Sequence, residues 1–111
     1  MKKEGEIWMV KFTGEGHEYA GTRPAVIIQS NDKLKITNVI TVMPLTSKVQ
    51  NRHSDDVLVK KNEINNLWHD SLVKVQHVQT FDDLRFEKKV GEIDKVVLFE
   101  IKEYLKKHFG L

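Results

Sequence analysis

The segment Pro24-Ala25-Val26-Ile27-Ile28 constrains the fold most. Four apolar residues, three of them β-branched, stand behind a proline and run into Gln29 and the turn-forming Ser30-Asn31-Asp32-Lys33. This pattern predicts a central, buried strand over residues 25–29. Pro24 fixes its own φ and pushes Arg23 into an extended conformation, which sets the arginine on a turn at the mouth of that strand. A second β-branched run, residues 38–43, predicts another strand that Pro44 ends, followed by Leu45-Thr46-Ser47-Lys48. A guanidinium, two hydroxyls and an ammonium at strand ends suit the holding of a phosphodiester.

The rest of the chain reads as further short strands and one helix. Residues 6–12 predict a first strand with large apolar groups on both faces, followed by a glycine-rich loop over residues 13–22. Strands are expected at 57–59, 71–78 and 89–93, with a polar stretch over 62–70 and a helical turn at 81–85. Asp94 is placed to cap a terminal helix in which Val97, Ile101, Tyr104, Leu105 and His108 form one stripe, and Gly110 suits its stop. Its further apolar residues, Leu98 and Phe99, leave room for a partner surface. Short strands plus a terminal helix make a small antiparallel barrel, α+β by class.

At 111 residues the chain is expected to be one domain, 1–111, and its 40% hydrophobic and 31% charged residues suit a folded, soluble protein. It has no cysteine, which excludes disulfides and thiolate metal sites and suits the cytoplasm. No signal peptide and no membrane span are expected. The five histidines show neither HxH nor HExxH spacing, so no metal is expected, and no phosphate-cradling glycine motif occurs. A net charge of +2 decides little, although lysines cluster at several points. Of the two tryptophans, Trp8 is expected in the core or a dimer contact. Trp68, in the polar stretch, is the better candidate for exposure and base stacking.

Gly5-Glu6-Ile7-Trp8, Gly16-His17-Glu18, the run from Gly21 to Ile28, Pro44-Leu45-Thr46-Ser47-Lys48, Asp70-Ser71-Leu72-Val73 and Thr80-Phe81-Asp82 occur in this order. In that order and spacing the chain resembles the MazF/PemK toxin family from about Gly5 to Phe109. The resemblance implies an SH3-like, CcdB/MazF-like barrel with a C-terminal helix, paired as a homodimer. It also implies a metal-independent, cofactor-free, sequence-specific endoribonuclease that cuts single-stranded mRNA and is neutralised by a cognate antitoxin. Arg23 and Thr46 match the family's catalytic pair. Glu18, Thr22, Ser47, Lys48, His77 and Gln79 are the implied RNA-binding residues.

The chain departs from the family in Val75-Gln76-His77-Val78-Gln79-Thr80, where Gln76 replaces an acid, His77 a glutamine and Gln79 a basic residue. His77, which titrates near neutral pH, could replace the missing acid–base capacity beside Thr46. From the residues alone, Arg23 could equally be a surface ion pair and Thr46 a strand-end cap. The same barrel could be a non-catalytic nucleic-acid or protein-binding module, or a gyrase-targeting toxin.

Overall fold

The computed structural model describes residues 1–111. Its order is β1 (Glu6–Thr13), β2 (Ala20–Ile27), α1 (Asn31–Leu34), β3 (Val39–Thr46), β4 (Val57–Val59), β5 (Ser71–Val73), β6 (Gln79–Asp82), β7 (Phe86–Glu92) and α2 (Lys95–Phe109). All strand pairs are antiparallel. They run β4-β5-β3-β2-β1-β7, and β6 also pairs with β3. This is the expected α+β, SH3-like, barrel-like fold with its C-terminal helix.

Residues 25–27 of β2 and most of β3 are apolar because both of their faces are covered. Val26, Met43 and Leu45 join a core under α2 with Val73, Ile93 and Ile101. Ala25, Ile27, Ile40 and Val42 point the other way, into a second core with Phe12, Phe81 and Phe86. β1 serves both cores, Ile7 facing the first and Val10 and Phe12 the second. Simple alternation puts the odd position 7 and the even positions 10 and 12 on opposite faces, and the pairing with β7 is interrupted by register shifts between Ile7 and Trp8 and between Met9 and Val10.

The end strands β4 and β7 do not pair with each other, and the loop 60–70 bridges the gap. Glu92 donates its backbone N–H to the Ile64 carbonyl at 3.1 Å, and Asn66 Nδ2 donates to the Val90 carbonyl at 3.1 Å. Buried Asn65 braces the loop from within, its Oδ1 accepting from the Asn62 and Leu67 N–H groups while Nδ2 donates to the Lys60 carbonyl. Glycine is needed at position 91, because a Cβ there would overlap the Asn65 carbonyl and lie 2.6 Å from that of Ile64.

Three local expectations change. Arg23 lies within β2, paired with Val10, since the strand begins at Ala20 and only residues 14–19 form the connecting loop. Pro44 lies inside β3. The expected strand 71–78 stops at Val73, because a 3-10 turn over Val75–His77 follows, and a separate strand, β6, begins only at Gln79. The six steps from Val73 to Gln79 face only three on β3, from Leu45 to Val42, and the surplus bulges outward. The terminal helix forms as expected, with Asp94 Oδ1 accepting from the Val97 N–H at 2.9 Å and Gly110 left-handed at φ +70°.

Candidate active site

The site opens where β2 and β3 part. Their last pair is Ala25 with Pro44; beyond it β3 takes β5 as partner, Leu45 opposite Val73 and Thr46 opposite Leu72. Two residues past the last pair in opposite directions stand Arg23 and Thr46, across the mouth of the splayed strands. The cavity between them, about 420 Å³, is lined by Thr22, Arg23, Thr46, Ser47 and Lys48 on one side and by Trp68 and His69 on the other.

Arg23 is held but not neutralised. Its Nε donates to the Ala20 carbonyl at 3.1 Å, and its guanidinium carbon sits 4.7 Å from the centre of the Tyr19 ring. No carboxylate pairs with it. The four terminal N–H donors stay available for an oxyanion. Thr46 does act as a strand-end cap: its Oγ1 accepts from the Lys48 N–H at 3.2 Å, leaving its own hydrogen free to donate. Ser47 and Lys48 are exposed on the same rim.

A second cavity, about 210 Å³, adjoins the first through Thr46 and Lys48. The bulged turn supplies Gln76 and His77 to it; Tyr19, Asn51, His53 and Lys74 line it as well. The His77 ring stands edge-to-face on Tyr19, with centroids 4.8 Å apart. Burial, then the Lys74 charge, lowers the His77 pKa below its ordinary value, against smaller opposing effects of Asp56 and Glu18. The imidazole is therefore neutral at neutral pH and able to accept a proton.

Beneath this cavity lies a buried ion pair. Lys74 Nζ donates to Asp56 Oδ2 at 2.6 Å, with side chains 7% and 1% exposed. The same oxygen accepts from the His53 N–H at 2.8 Å, while Asp56 Oδ1 is buried without a partner.

The structure thus brings Thr22, Arg23, Thr46, Ser47, Lys48 and His77 to two adjoining cavities. Glu18 and Gln79 line neither. Glu18 is exposed on its loop and accepts from the Glu15 N–H at 3.0 Å, and Gln79 pairs with Val42, four residues along β3 from Thr46. Trp68 is 60% exposed, as the polar context predicts. Tyr19, Asp56 and Lys74 escape sequence reasoning. The available signal was a lysine between Val73 and Val75 in an otherwise apolar run. No three His, Asp or Glu side chains converge as metal ligands, and no helix is long and apolar enough to cross a membrane.

A coiled antiparallel sheet with an unpaired guanidinium and hydroxyls at splayed strand ends defines a small barrel protein whose cavity offers donors to an anion. The chain belongs to the PemK-like, MazF-like toxins of type II toxin–antitoxin systems, whose family model matches residues 3–109. It is 22% identical over 112 residues to the endoribonuclease MazF of Staphylococcus epidermidis, covering all of this chain and 93% of that protein. Its fold is similar to that of the crystal structure of MazF from Deinococcus radiodurans, with a TM-score of 0.84, 23% identity and coverage of 99% and 97%. A mycobacterial endoribonuclease in complex with its cognate antitoxin is similar too, with a TM-score of 0.78, 18% identity and coverage of 100% and 97%.

Proposed function

We propose that this toxin is a metal-independent, sequence-specific endoribonuclease. It cleaves single-stranded RNA by attack of a 2′-hydroxyl on the adjacent phosphorus. The P–O5′ bond breaks, leaving a 2′,3′-cyclic phosphate and a 5′-hydroxyl. The observation that carries this reading is the guanidinium of Arg23, oriented by Tyr19 and Ala20 yet free of any carboxylate, across a cavity mouth from Thr46.

The charge that develops on the phosphorane is met by the terminal N–H groups of Arg23, fixed in place before reaction. Thr46 donates its free hydrogen to a phosphate oxygen. Ser47 and Lys48 add a donor and a positive charge on the rim, and Thr22 extends the same wall. His77, neutral and in the adjoining cavity, accepts the 2′-hydroxyl proton, and water at the open cavity mouth protonates the departing 5′ oxygen. Trp68 offers an exposed ring on which an unstacked base can lie. Glu18 and Gln79 contact RNA further from the cut. A cognate antitoxin holds the toxin inactive, and a second copy of the chain covers the exposed apolar residues of α2, Val96 and Phe99 among them.

The test is incubation of the protein with long single-stranded RNA in EDTA, beside Arg23→Ala and His77→Ala. Cuts at a short recurring sequence with 5′-hydroxyl ends are expected. They should fall by about a hundredfold or more in Arg23→Ala, the scale of losing a charge-stabilising donor. A 2′-deoxy nucleotide at the cut should abolish reaction. Absence of products with the parent protein refutes the reading, and an unchanged rate in His77→Ala removes that residue's role.

A further inference from the structure

The second cavity contains more hydrogen-bonding capacity than the phosphodiester reaction uses. Its floor is Lys74, whose ammonium carries three N–H donors and spends only one, on Asp56. The pairing matters in two ways. The carboxylate cancels most of the ammonium's net charge, so the floor has little to attract a phosphate. It also fixes the direction of the remaining donors, because Asp56 is itself held by the His53 N–H at 2.8 Å. Asn51 and Gln76 bring side-chain amides to the same walls. Directed donors, amides and an aromatic side, next to Thr46, are the chemistry of a nucleobase edge.

We infer that the cavity floored by Lys74 is a specificity subsite for the base flanking the cleaved bond, and that it selects a base bearing a ring carbonyl in the place where adenine carries an amino group, namely guanine or uracil. The inference rests on the endoribonuclease reading and adds the determinant of its sequence preference. An ammonium can only donate. The carbonyl oxygen of guanine or uracil accepts its bond, whereas the adenine amino group presents a hydrogen to a donor that is already buried and cannot turn away. Lys74 is 7% exposed, so a rejected base leaves it without water to compensate. Because the cavity shares Thr46 and Lys48 with the larger one, its occupant belongs to a nucleotide next to the scissile phosphate.

The experiment uses RNAs that differ at one flanking position, A, G, U or C, with a non-cleavable 2′-deoxy version of each for binding. The parent protein is compared with the double variant D56N/K74M, which removes the ammonium without stranding a buried carboxylate and keeps an acceptor for the His53 N–H. Thermal melting verifies that the variant folds; Lys74→Gln serves as a second variant if it does not. The parent protein should prefer G or U over A at that position by about tenfold or more in kcat/KM and in binding, the scale of one bond to a charged donor. In the variant that preference should collapse to within about threefold, while the rest of the recognised sequence is unchanged. A merely structural role for the pair would lower the rate on all four RNAs alike. A parent preference for A there, or a preference that survives in the variant, overturns the subsite while leaving the ribonuclease intact. A parent protein that neither binds nor cuts any of the RNAs overturns both readings.

Discussion

Removing one half of the Asp56–Lys74 pair should be the most damaging polar substitution in the molecule. At 2.6 Å, unit charges attract by about 6 kcal/mol at an effective dielectric of about 20. Desolvation of two ions, several kcal/mol each, consumes most of that, so the intact pair contributes little net stability over an apolar pair of the same volume. Asp56→Ala changes the balance, because the ammonium stays desolvated and loses its counter-charge, while the His53 N–H loses its acceptor. The expected cost is about 3–5 kcal/mol. With an unfolding entropy of about 2.1 cal/mol/K per residue over 111 residues, melting should fall by about 13–21 °C. Urea denaturation and thermal melting of Asp56→Ala, Lys74→Met and D56N/K74M give the full comparison. Each single variant should be crippled, and the double variant should return to within about 1 kcal/mol of the parent. A loss of less than 1 kcal/mol in Asp56→Ala, or a double variant as unstable as the singles, would show that the pair is solvated and refute the reasoning.

Acid should weaken the fold in two windows. His77 has a lowered pKa in the folded state, so the unfolded chain binds its proton first, and stability falls as pH drops from about 6.5 through the lowered value. Burial pushes the Glu6 pKa up, but hydrogen bonds from the Trp8 indole and the Lys3 N–H, with Lys89 at 3.1 Å, outweigh it and hold the value low. Its contribution is present above the ordinary glutamate value and is lost as pH falls through the lowered one. Melting temperature followed from pH 7 to 3 should therefore decline less steeply below about pH 4.5 in Glu6→Gln than in the parent; parallel curves would count against it. Gly91→Ala should cost about 1–3 kcal/mol in urea denaturation, because its Cβ would overlap the backbone of the loop that bridges β4 and β7. A neutral result would mean that this bridge yields without cost.

The parts that could be read from the sequence are those decided locally. Asp94 and Gly110 specify the ends of α2 through their own backbone preferences and hydrogen bonds. The β-branched runs within β2 and β3 declare burial on both faces because apolar residues stand at nearly every position from 25 to 28 and from 39 to 45. Arg23, Thr46, Ser47 and Lys48 follow from the same runs, since they occupy the ends. What could not be read depends on register between distant strands. Val75-Gln76-His77-Val78 has the composition of a strand. Only the fixed pairings on either side, Leu45 with Val73 and Val42 with Gln79, make it three residues too long and force the turn. Lys74 and Asp56 are 18 positions apart, with no local pattern to join them.

The two departures from regular pairing lie on opposite edges of β3, and the cavities depend on both. Where Pro44 ends the ladder with β2, the larger cavity opens between Arg23 and Thr46. Where β5 and β6 carry surplus residues, the turn they form walls the smaller cavity with Gln76 and His77. Thr46 borders both because it sits at the last pair of β3, just beyond the proline and opposite Leu72. The bulged turn is anchored by the Lys74 N–H donating to the Pro44 carbonyl at 2.9 Å and by the His77 N–H donating to the Lys74 carbonyl at 3.0 Å. Pro44 thus marks the last pair with β2, and its carbonyl, on the opposite edge of β3, holds the turn. Under the proposed function and subsite, this geometry sets the charge-stabilising Arg23 in one cavity and the base-reading Lys74 in the other. On that reading, sequence preference can change through Lys74 and Gln76 while Arg23, Thr46 and His77 stay as they are.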